Sequence, residues 1–179
     1  MKNIRLVPFI KTAKVWAEES TCTRLHVGAA IFNKRTKRVL AVGYNGTIAG
    51  QKHCNELFDY NNLLVHVDLQ DYLKCELPNK SGWNKVSENT FKELHHEFSE
   101  KYEVHAEQNA IYNLFKTGTD WQQEDMAIVT TTEPCCQCSK AIAALGIKEC
   151  YYIEPYDRSN GSISWFFEHI GVKYERASI

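Results

Sequence analysis

The chain has 179 residues, with 21 basic against 22 acidic side chains and a net charge of −1. That length suits one compact domain with a sizeable core, and the balanced charge argues against a surface built to hold long nucleic acid by phosphate neutralisation. No apolar run approaches the ~20 residues needed to span a bilayer and no signal-peptide pattern is visible, so a cytoplasmic chain without membrane contact is expected.

In chain order, an amphipathic helix is predicted over 6–20, with Phe9, Ile10, Ala13, Ala17 and the flanking Trp16 on its apolar side. Two β-rich runs at 27–32 and 39–42 follow, joined by the polar Asn33-Lys34-Arg35-Thr36-Lys37. Gly43-Tyr44-Asn45-Gly46 is expected to end the second strand in a turn. From about 47 to 102 the pattern is poor and rich in Asn, His and Lys, so an irregular insertion is predicted, with some helix near 87–100 and little core of its own. Regular structure resumes with a helix over 106–115, a strand over 126–131 and a helix over 135–145. A strand over 149–153, a helix near 163–170 and a strand over 172–174 complete it. Strands alternating with helices indicate a layered α/β sheet. Repeats and low-complexity tracts are absent from the sequence, and proline is too rare for a linker. A single domain over 1–179 is therefore expected, carrying the 47–102 insertion after its second strand.

Two short strings carry the chemistry: His105-Ala106-Glu107 and Pro134-Cys135-Cys136-Gln137-Cys138. Together they offer one imidazole, two thiols and a carboxylate. Three such ligands suit a zinc ion whose fourth position stays open for water. Cys135 and Cys138 are three apart and share one helix face, and Pro134 suits a helix start. Thiolates near a helix N-terminus are stabilised by the unpaired N–H groups and the dipole. Glu107, in the first turn of its own helix, is the candidate base. A lone C-x-x-C is as often a structural zinc knuckle or a redox pair, and a lone His-x-Glu is usually surface. Their joint occurrence, each opening a helix, favours a catalytic zinc and the H-x-E and P-C-x-x-C pattern of nucleobase deaminases. Seven cysteines, an odd number with two adjacent, fit metal ligands and spare thiols better than a disulfide framework.

Several stretches then resemble the deoxycytidylate (dCMP) deaminase branch of the cytidine/deoxycytidylate deaminases. They are Gly28-Ala29-Ala30-Ile31, Gly43-Tyr44-Asn45-Gly46, His105 to Ile111, Glu133 to Cys138 and Gly146-Ile147-Lys148-Glu149. The resemblance implies a three-layer α/β/α sandwich with a mixed, about five-stranded central sheet. It also implies hydrolytic deamination of dCMP to dUMP, feeding thymidylate synthesis. His105, Cys135 and Cys138 would hold zinc. Glu107 would take a proton from the attacking water and then protonate N3 and the leaving ammonia, one carboxyl serving as base and then acid in successive transfers. Asn45 would meet the nucleotide's sugar or phosphate, the backbone of Ala106 would read the base edge, and Tyr156 would help to enclose the nucleotide. Plainer readings place Asn45 at a φ > 0 turn position and Tyr156 as a packed surface aromatic.

Longer members of this family hold a second, structural zinc, and the positions that transfer are Cys22, Cys54, His95 and Glu103, with His53, His66 or His96 as substitutes. The resemblance further implies a homo-oligomer, a hexamer, with dCTP and dTTP as effectors and Mg2+ accompanying a triphosphate. Two departures stand out. Ile48 occupies a place where the family usually has proline, and Lys116 one where some members carry arginine, a point charge replacing a bidentate fork. They leave the phosphate number open, so dCTP remains an alternative substrate. The rival readings are a tRNA adenosine deaminase, a single-strand nucleic-acid editor and a non-enzymatic zinc-binding assembly subunit. The first two want a basic surface that the balanced charge does not supply, and the last needs no Glu107.

Overall fold

The computed structural model describes residues 5–118, 120–156 and 162–177. In chain order the elements are α1 (Val7–Ala17), β1 (Gly28–Asn33), β2 (Val39–Tyr44), β3 (Gly46–Thr47), α2 (Cys54–Leu57) and β4 (Phe58–Asp59). Next come β5 (Leu64–His66), α3 (Leu69–Leu73), β6 (Trp83–Lys85), α4 (Glu88–Tyr102) and β7 (Glu103–Val104). The last are α5 (Ala106–Lys116), β8 (Met126–Thr132), α6 (Cys136–Ala144), β9 (Glu149–Glu154), α7 (Ser162–His169) and β10 (Lys173–Arg176). Backbone contacts divide the chain into two compact units: residues 1–20, 27–45 and 105–179 form the first, and 21–26 with 46–104 the second.

The first unit holds a five-stranded mixed sheet in the order β10-β9-β8-β1-β2. β1 runs antiparallel to both β2 and β8, whereas β8, β9 and β10 are mutually parallel. Strand alternation sorts the side chains between two cores. On one face, Ala30, Phe32, Ala127, Val129, Tyr151 and Ile153 pack against Phe9, Ile10 and Ala13 of α1. On the other, Ala29, Ile31, Ile128 and Cys150 meet Ala106, Ala110 and Leu114 of α5, Ile142 of α6 and Phe167 of α7. This is the three-layer α/β/α arrangement that the sequence suggests.

Gly43 decides how close α5 can come. A Cβ there would lie 2.3 Å from both the Ala106 carbonyl oxygen and the Ala110 nitrogen, so the first turn of α5 rests directly on β2. Asn109 and Asn113, one turn apart on α5, donate from Nδ2 to the Tyr44 and Val42 carbonyl oxygens at 2.7 and 2.9 Å. Their amides occupy the acceptors of an edge strand and fix the helix against it.

The second unit corrects the picture of an irregular insertion. It contains an antiparallel three-stranded sheet β4-β5-β6, the short pair β3-β7 and three helices. It also has a core of its own, built from Leu57, Phe58, Val65, Leu69, Leu73, Phe91 and Phe98. Phe58 makes edge or tilted ring contacts with Phe91, His95 and Phe98, so a few large rings do the burying that a longer apolar pattern would otherwise do. The predicted helix near 87–100 is present as α4, with the Ser87 hydroxyl capping the Thr90 N–H at 3.1 Å. Among the described residues, no helix is long and apolar enough to cross a membrane.

Candidate active site

His105, Cys135 and Cys138 come together in the first unit. His105 Nδ1 lies 3.5 Å from Cys135 Sγ and 3.4 Å from Cys138 Sγ, and the three ligand atoms are all within 4.8 Å of one another. Both strings act through helix starts. His105 is the N-cap of α5 and Cys135 the N-cap of α6, each with extended backbone dihedrals. Pro134 therefore precedes the cap instead of filling the first helical turn, which corrects its expected place. Gln108 Oε1 accepts the His105 N–H at 3.2 Å, and the Cys135 carbonyl accepts from both the N–H and the hydroxyl of Ser139 at 2.9 Å. Two helix N-termini thus aim their positive ends at the thiols.

The protons are placed accordingly. Cys135 falls to about 3, chiefly because the Cys138 thiol donates to it, against burial and with help from His105. Cys138 rises because it holds that proton beside Cys135, is buried and faces Glu107. A divalent cation replaces such a shared proton and takes both sulfurs as thiolates. Glu107 is 4% exposed, and burial pushes its carboxyl up, with the Cys138 thiol in hydrogen-bonding contact and Cys135 adding negative charge. A carboxyl raised in this way, set against a metal-ligand triad, suits proton transfer in both directions.

The other expected contacts divide. Ala106 is fully buried at the start of α5, where a first-turn N–H has no intrahelical acceptor and can meet a ligand oxygen. Asn45 is not at a positive φ, which removes the turn explanation for it. Instead its Oδ1 accepts from the Ser20 hydroxyl at 2.7 Å and the Val27 N–H at 2.8 Å, pinning the amide after β2. Tyr156 follows β9, half-buried, and its backbone N–H donates to Glu133 Oε2 at 2.9 Å. Lys116 is not brought to the group: it lies exposed in the last turn of α5, about 16 Å along the axis from His105 at 1.5 Å per residue. Sequence reasoning missed a role for Glu133. This buried acid also accepts from the Tyr174 hydroxyl at 2.5 Å, and its partners stand 23 and 41 residues away, beyond any motif.

A family model for the cytidine and deoxycytidylate deaminase zinc-binding region matches residues 5–154. The chain belongs to this deaminase family. Its relatives include the deoxycytidylate deaminase of Enterobacteria phage T2, 29% identical over 92% of this chain and 87% of that protein. ComE operon protein 2 of Bacillus subtilis is 31% identical over 96% of this chain and 70% of that protein. Among solved structures, dCMP deaminase from cyanophage S-TIM5 in complex with dCMP and dUMP superposes with a TM-score of 0.65. It is 27% identical to this chain, with 99% of each chain covered.

This deaminase carries a second cluster, in its other unit. His95 Nε2 lies 3.7 Å from Cys22 Sγ and 3.4 Å from Cys54 Sγ, and all three residues are buried. Cys22 falls to about 3, chiefly because the Cys54 thiol donates to it, and Cys54 rises as the holder of that proton. Glu103 is buried nearby. Its Oε2 accepts from the Ser99 hydroxyl at 2.7 Å, Oε1 has no hydrogen-bond partner among the described residues, and burial and Cys22 raise its pKa. The suggested substitutes stand elsewhere: His53 Nδ1 pairs with Thr47 Oγ1, His66 with Asp68, and His96 with Glu100.

Proposed function

We propose that the protein is a zinc-dependent dCMP deaminase that hydrolyses dCMP to dUMP and ammonia. One observation carries the reading: the buried Glu107 carboxyl lies against the His105, Cys135 and Cys138 group, in a chain that follows dCMP deaminases over nearly its whole length. The donor set fits zinc, since one imidazole and two thiols leave a fourth position open. Zinc, when bound, supplies a Lewis acid that makes water nucleophilic near neutral pH. Glu107 takes one proton of the attacking water and delivers it to N3, then takes the second from the new C4 hydroxyl and delivers it to the amino group, which leaves as ammonia as the C4 carbonyl forms. The Ala106 N–H donates to the base carbonyl oxygen. The Asn45 amide donates to the sugar or phosphate, and the Tyr156 ring closes over the nucleotide.

The Cys22, Cys54 and His95 cluster is assigned to a structural zinc, with Glu103 as fourth ligand. Its support is the donor chemistry and the buried Glu103 oxygen without a partner. The reading extends to a cytoplasmic homo-oligomer, a hexamer, under dCTP and dTTP control, with Mg2+ bound alongside the triphosphate. The deciding experiment is ammonia release from dC, dCMP, dCTP and CMP, repeated with dTTP. Preference for dCMP is expected; activity on dC alone, or on none of the four, would sink the assignment.

A further inference from the structure

We propose that Glu133 is a positioning residue for the nucleotide, a clasp that sets Tyr156 against the loop bearing Cys135. The inference rests on the reading of Tyr156 as a nucleotide contact. Glu133 ends the run that carries β8 into Pro134 and Cys135, and its own N–H donates to the Glu154 carbonyl at 2.8 Å. Its two carboxylate oxygens face two different anchors. Oε2 accepts the Tyr156 N–H at 2.9 Å and Oε1 the Tyr174 hydroxyl at 2.5 Å. Tyr174 is itself held, stacked on Tyr152 at 5.0 Å between centroids and tilted against Phe167 at 5.1 Å.

The side chain therefore joins three segments, the end of β8, the loop after β9 and strand β10, within one unit. Pro134 has a fixed φ, so the carboxylate and the Cys135 backbone have little freedom to move apart. A peptide N–H partly shielded from water needs an acceptor, and Glu133 Oε2 supplies one at 2.9 Å. Loss of the clasp leaves the thiol and Glu107 machinery in place but lets Tyr156 drift from the bound nucleotide. The consequence falls on ground-state binding, not on the chemical step.

The test measures kcat, KM for dCMP and zinc per chain in E133A, E133Q, Y174F and Y156A. Losing the acceptor that holds the Tyr156 N–H is expected to raise KM about tenfold in E133A, with kcat and zinc near wild type. E133Q recovers most of the KM, because its carbonyl accepts from Tyr156 while its amide donates to the Tyr174 hydroxyl. Adding E133A to Y156A raises KM no further, since both act through one group. Y174F, which removes a single hydroxyl, raises KM several-fold and carries the test if E133A fails to fold. Loss of zinc or of kcat at unchanged KM in E133A overturns the clasp in favour of a merely structural role. Unchanged KM in E133A or Y174F, with KM raised in Y156A, overturns the clasp alone. Unchanged KM in Y156A overturns the role of Tyr156 and the clasp with it.

Discussion

The roles proposed for Glu107 and for His105, Cys135 and Cys138 differ, and substitution separates them. Glu107 is assigned proton transfer and is not among the three ligand atoms that gather together. Glu107→Gln is therefore expected to keep one zinc at that site and lose about 10²–10⁴-fold in kcat, the range for removing a positioned acid–base group. Cys138→Ala should instead lose zinc and turnover together, because the buried thiol is one of three close ligands. Metal analysis beside steady-state rates checks both; a Glu107→Gln enzyme of wild-type rate would end the assigned role. These residues were legible because their chemistry needs fixed spacings close in sequence. Asn45 was legible as important but not in detail. The Ser20 hydroxyl and the Val27 N–H that hold it come from before β1, where nothing in the spacing points to them.

At the scale of elements, β2 and α5 form the platform on which catalysis is built. Their contact depends on a missing side chain at Gly43, where a methyl group would press on backbone atoms of Ala106 and Ala110 that cannot swing aside. Gly43→Ala is expected to cost about 1–3 kcal/mol or more, as overpacking does. It should also lower kcat, since the displaced turn carries His105 and Glu107. Thermal melting and kcat together test this, and a variant with both unchanged would show that α5 is not pinned there. The sheet strands and α5 could be read from the sequence because long apolar periods declared them, and boundaries moved by only a residue or two. The segment from Gly46 to Val104 could not. Its strands are two or three residues long, too short to show alternation, and its core comes from scattered rings such as Phe58, Phe91 and Phe98. Polar composition hid a folded unit, because a few aromatic side chains bury as much area as a regular apolar stripe.

For the molecule as a whole, two His/Cys clusters of the same composition, one imidazole and two thiols, stand in two different units. What distinguishes them is the carboxyl beside each. Glu107 lies directly after Ala106 in the first turn of a helix, poised for proton transfer, whereas Glu103 is tied through one oxygen to Ser99 and turns the other toward no described partner. In the proposed structural site Glu103 is the fourth ligand, and a closed zinc site supplies folding energy instead of chemistry. Metal analysis should then give two zinc ions per chain. Cys54→Ala and Cys135→Ala should each leave one. The first should lower Tm, by about 5–10 °C if roughly 2–3 kcal/mol is lost in a chain of this size, while the second removes activity. A fully active wild-type protein with a single zinc per chain would refute the second site, and equal Tm for Cys54→Ala and wild type would refute its structural role.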